Sequence, residues 1–115
     1  MQAIMKSTEL KFNITNCIRN LEVLQESLKN NEEYYELYSE ITYWISSLEL
    51  IRNYIIKEDS YSGDFLELMS IKESSIELLD EMSAAFLIAS KFLREDQLKT
   101  LSVAINYCKK VKEML

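Results

Sequence analysis

The chain has 115 residues, a single glycine, no proline, no histidine and a formal charge of −6. Average usage would supply about six prolines and eight glycines, so hairpins, tight turns and phosphate-cradling loops are disfavoured and long helices expected. Without histidine there is no Ser–His or Cys–His nucleophile pair, no imidazole ligand and no usual general base.

The charge is unevenly spread. Residues 22–81 hold 15 acidic and 4 basic side chains, a net of −11, while the flanking segments carry +2 and +3. An acidic middle argues against nucleic acid or an anionic membrane as a partner, because both need an electropositive footprint. A basic protein surface fits it. The opening "MQAIMKSTEL" has no apolar signal region, and no apolar run approaches the ~20 residues of a membrane span. The expected compartment is therefore the cytoplasm, where Cys17 and Cys108 stay reduced. Two lone cysteines make no zinc site and one glycine makes no dinucleotide fingerprint, so neither metal nor cofactor is expected.

Apolar residues recur at spacings of 3 and 4 almost throughout. Helix one is expected over 8–29, capped by Ser7 or Thr8, or starting earlier. Leu10, Ile14, Cys17, Leu21, Leu24 and Leu28 form its heptad seam and Ile18 widens it. "KNN" at 29–31 ends it, and Asn31 is placed to cap the next helix. Helix two, 32–57, repeats the pattern with Tyr34, Leu37, Ile41, Trp44, Leu48, Ile51 and Ile55. A loop, "EDSYSGD" at 58–64, follows, with Ser62 as the candidate cap of helix three.

Helix three, 64–93, is the irregular one. Phe65, Leu68, Met69, Ile76, Leu79, Met82, Phe86 and Leu93 are its expected core, and "SIKESS" at 70–75 interrupts the pattern, so that one long helix bent there is favoured over two shorter ones. "REDQ" makes the turn to helix four, 96–115, which carries Leu98, Leu101, Ile105, Cys108 and Leu115. Lys109, Lys110 and Lys112 near its end complement the helix dipole. The expected fold is all-α, a single domain over 1–115 forming an antiparallel four-helix bundle, roughly 30–40 Å long. A more open array that closes as a homodimer is the alternative.

Function centres on "NNEEYYELYSE", residues 30–40. With Tyr34, Leu37, Ile41 and Trp44 inward, Glu33, Glu36, Glu40 and Tyr43 form a stripe to one side of the core face, and Tyr35 lies almost opposite the core. Exposed tyrosines supply rigid contact area with a polar handle, so Glu33, Tyr35, Glu36, Glu40 and Tyr43 are the candidate partner-binding residues. A solvated helix start accounts for the same acids. A second candidate surface is "MSAAFLIASKFL" at 82–93, where Ala85, Ile88, Ala89 and Phe92 offer an apolar interface, alongside the simpler option of core packing.

Carboxylates are the remaining catalytic candidates. "EEYYE" at 32–36 and "ELLD" at 77–80 resemble the EExxE and ExxD halves of the signature of all-α nucleotide pyrophosphohydrolases, the MazG-like family. That resemblance implies magnesium held between two helices against a triphosphate. The 40 residues between Glu36 and Glu77 exceed the family's usual gap, and Glu73, Glu77 and Asp80 are expected to face water. The chain is also similar in size, helicity and acidity to bacterial immunity proteins against nuclease toxins. The expected function is a non-enzymatic inhibitor or immunity-type protein masking a basic partner. The alternatives are a secretion chaperone or assembly adaptor holding an apolar helix and, third, the pyrophosphohydrolase.

Overall fold

A computed structural model describes residues 2–58 and 65–114 of the chain, with side chains over 8–53 and 69–114. The expected loop at 59–64, the Ser62 cap and the side chains of Ile55, Phe65, Leu68 and Leu115 lie outside the described residues. Among those described, four helices and no strand occur: α1 Gln2–Leu28, α2 Tyr35–Glu58, α3 Phe65–Ala89 and α4 Glu95–Met114. They form an antiparallel four-helix bundle 46 Å long and 22 by 21 Å across. The length exceeds expectation because α1 begins at Gln2 and runs 27 residues, about 40 Å at 1.5 Å per residue. Ser7 and Thr8 therefore lie inside the helix and not at its start.

The α1–α2 connection follows from its asparagines. Asn30 takes a left-handed conformation at φ 71°, which asparagine tolerates better than most side chains. The Asn31 side chain then accepts the Glu33 backbone N–H at 3.3 Å, capping a 3₁₀ turn over Glu32–Tyr34 that leads into α2.

The seam residues expected on α1 are all buried, as are Leu37, Ile41, Trp44, Leu48 and Ile51 on α2. Polar side chains fasten α1 to its neighbours. Gln25 donates to the Tyr38 carbonyl at 3.0 Å and to Thr42 Oγ1 at 2.6 Å. Gln97, buried at the start of α4, accepts the Arg94 backbone N–H at 3.1 Å and donates to Ser27 Oγ at 3.2 Å. The first of these is half of a capping box.

Helix α3 departs from expectation in two ways. It is continuous through 70–75, as expected, but ends at Ala89 rather than residue 93. Ser90–Leu93 form a turn, with Leu93 N–H bonding the Ala89 carbonyl at 2.8 Å. Its inward face is also rotated. Met82 and Leu93 are buried as expected, but the other buried positions are Ser75, Leu78, Ala85 and Ala89, with Ile71 half-buried beside them, whereas Ile76, Leu79 and Phe86 are only half-buried and Met69 is exposed. The true seam runs one residue earlier, about 100° around the helix, and small side chains at 75, 85 and 89 disguise it. Ser75 enters the core without a stranded hydroxyl, since its Oγ–H donates to the Ile71 carbonyl at 2.9 Å.

Candidate functional site

Packing is unequal around the bundle. Helix α1 lies against α4 and α2 along most of its length, and α3 lies against α4, but among the described residues α2 and α3 barely touch. The α2–α3 seam is left as two adjoining clefts of about 340 and 630 Å³. Tyr43 and Glu81 line both and stand between them, and the two clefts together make up the α2–α3 channel.

The side chains explain the opening. On α3 the residue before each buried one, namely Ser74, Glu77, Glu81, Ala84 and Ile88, repeats at 3,4,3,4 and lines the channel. On α2, Ser39, Glu40, Tyr43, Ser47 and Leu50 face it. Serines and alanines are too short to interdigitate across the gap, and glutamates on both walls resist desolvation and each other. Burial first, then the charge of Glu81 and that of Glu36, push the Glu40 carboxyl above its ordinary value. Glu81 thus acts on Glu40 from the opposite wall. None of the described residues lining either cleft is Lys or Arg.

The candidate set is divided by this geometry. Glu33, Tyr35, Glu36, Glu40 and Tyr43 are all exposed, Tyr35 at 71% and Tyr43 at 60%. Glu40 and Tyr43 line the α2–α3 channel and Glu36 stands one turn from Glu40. Tyr35 instead borders a separate hollow at the α1–α2 turn, with Leu28, Asn31 and Tyr38. Glu33 belongs to the capped 3₁₀ turn.

The 82–93 surface divides likewise. Ala85 and Ala89 are buried in the bundle, Ala85 at the floor of the larger α2–α3 cleft. Ile88, 65% exposed, opens into the channel. Phe92 is already partly covered by Tyr34, whose ring stacks on it at 5.7 Å and whose hydroxyl donates to its carbonyl at 3.4 Å. What the sequence analysis missed is the α3 wall: Glu77, Glu81 and Ala84 carry a heptad spacing that is polar instead of apolar.

The other chemistry-bearing groups give no comparable arrangement. Glu73, Glu77 and Asp80 are exposed, and no group of three acidic or cysteine side chains among the described residues is placed to hold one metal ion. Cys17 and Cys108 are buried free thiols. The hydrogen bond with Cys108, then burial, push the Cys17 thiol well above its ordinary value, and it donates to the Ala104 carbonyl at 3.2 Å. Such a thiol is a core side chain and a poor nucleophile. No helix among the described residues is long and apolar enough to cross a membrane. Compared with protein-family models, curated proteins and solved structures, the chain matches none.

Proposed function

We propose that the protein is a non-enzymatic binding module, of the inhibitor or immunity type, that masks a basic surface on another protein. One observation carries this reading: Glu40 and Glu81 line one cleft with the exposed Tyr43, Glu36 stands one turn from Glu40, and no cation is paired to them among the described residues; burial first, and then the two neighbouring charges, hold Glu40 above its ordinary value. Uncompensated like charges are unfavourable in the free protein, and a cationic partner relieves them. An exposed tyrosine at the same place supplies contact area.

The adaptor reading keeps one supporting observation, the exposed pair Leu87 and Ile88, 70% and 65% accessible, near the end of α3. The two readings diverge in salt, since a charge-driven complex weakens with ionic strength and an apolar one hardly responds. Capture of partners on wild type and on Glu36→Lys/Glu40→Lys, washed at low and high salt, separates them. A partner lost on charge reversal and in high salt supports the inhibitor reading. A partner kept through both transfers the function to Leu87 and Ile88.

A further inference from the structure

The two α2–α3 clefts follow one another along a single face of α3. Their described wall on α3 runs from Ser70 to Ile88, about 27 Å, or the length of a helix of roughly 18 residues. Among the described residues three seams of the bundle are closed by helix-on-helix packing, and the fourth is open, its walls mixing short serines and alanines with glutamates that resist desolvation. Side chains of an added helix would enter beside Ser47, Ser74 and Ala84, where nothing projects far enough to exclude them.

The lining also states what the occupant must be. Apolar groups mark both ends: Ile88 at one, Leu50, Ile51 and Ile71 at the other. Between them stand Glu40, Glu77 and Glu81, with Tyr43 at the point the two clefts share. A nucleic acid is repelled by such a lining. A second copy docked seam to seam by a two-fold axis brings these carboxylates against their own kind. We propose that the open α2–α3 seam is the docking groove for a basic amphipathic helix of a partner protein, its Lys or Arg residues set over Glu40, Glu77 and Glu81 and its apolar stripe on the groove floor. This rests on the acidic-surface reading above and adds the shape and secondary structure of the partner.

The test uses fluorescently labelled synthetic peptides of roughly 18 residues, titrated against the full chain by anisotropy. The first is a Leu/Ala/Lys amphipathic helix with lysines at its middle. The second has the same composition in scrambled register, and the third carries Glu in place of Lys. The first peptide binds, and the other two bind at least about tenfold more weakly. Ala84→Trp, which fills the groove without changing charge, and Glu40→Lys/Glu81→Lys each weaken the first peptide at least about tenfold, while Val23→Ala, exposed on α1 outside the groove, leaves it within about twofold. Circular dichroism checks each variant, and Ser47→Leu replaces Ala84→Trp if the latter does not fold.

Equal binding of the scrambled peptide, lost on charge reversal but not on groove filling, removes the groove and keeps the acidic surface. Failure of every basic peptide, with no effect of charge reversal, removes both. Sedimentation of the free protein as a dimer that Ala84→Trp dissociates makes a second copy the occupant and overturns the proposal.

Discussion

The α1–α4 and α2–α3 seams belong to the same bundle, use the same 3,4 spacing and end in opposite states. At the first, Ile14, Cys17 and Leu21 of α1 and Leu101, Ala104 and Cys108 of α4 are all fully buried. At the second, Ser39, Glu40, Ser47, Ser74, Glu77, Glu81 and Ala84 face one another across open space. Periodicity alone brings two helices alongside each other, and removal of apolar area from water closes the gap. A seam built from hydroxyls, methyls and like-charged carboxylates has too little apolar area to offset the desolvation it requires. The protein is therefore stabilised around α1 and left unfinished between α2 and α3.

The contrast is most exposed to failure at its closed side. Leu21 is fully buried in the second half of α1, and Leu21→Ala is expected to destabilise the fold by about 2–5 kcal/mol, the usual range for a buried Leu→Ala change. Urea unfolding reads it directly. A loss under about 1 kcal/mol would mean that the α1 seams are no tighter than the open one. Next in size is Gln97, whose side chain ties the α4 start to Ser27 of α1. Gln97→Ala removes two hydrogen bonds, each worth about 0.5–1.5 kcal/mol, and should cost about 1–3 kcal/mol. Gln97→Glu keeps the acceptor for Arg94 but removes the donor to Ser27, and so should recover part of that loss.

How much of this was legible beforehand depended on side-chain size. On α1 and α2 the seam residues are large and apolar, so spacing alone located them, including the fully buried Trp44. On α3 the buried stripe includes Ser75, Ala85 and Ala89. Bulk locates Met82 and Leu93 correctly but otherwise points to Ile76, Leu79 and Phe86, one residue and about 100° away. That single rotation also hid the acidic wall of Glu77 and Glu81, because the faces flanking a misplaced seam are misplaced with it. Buried Gln97 escaped for a related reason: its role is a hydrogen bond across 70 residues of sequence, which no local pattern announces. The Glu40–Tyr43 half of the candidate site was readable from α2 alone. Its opposite wall required knowing which way α3 turns.

A smaller effect is expected from the carboxylates of the open seam. The Glu40 value is raised in the folded protein, so its contribution is fully present below a glutamate's ordinary value of 4.5 and is lost as pH rises through the folded value. Above that window its charge opposes folding. Glu40→Gln should therefore match wild type near the acid end and become more stable by about 0.2–0.5 kcal/mol toward neutrality, the size of a like-charge pair at a solvated site. Stability curves for the two proteins across the carboxylate range check the sign. A Gln variant less stable than wild type at neutral pH would show that a cation answers Glu40 and that the open seam is not electrostatically strained.

The smallest expected change is the most discriminating. Tyr43 and Ile88 are large apolar side chains, 60% and 65% exposed, on opposite walls of the channel. In a closed seam, truncating either would cost several kcal/mol. In an open one, each change should stay within about 0.5 kcal/mol, because little of the side chain leaves water on folding. Tyr43→Ala and Ile88→Ala, compared by chemical denaturation with Leu21→Ala in the same background, measure the difference between the seams. A cost above about 1 kcal/mol at Tyr43 would mean that α2 and α3 pack together in solution. The channel would then be filled by the protein's own side chains, and no partner helix would find room there.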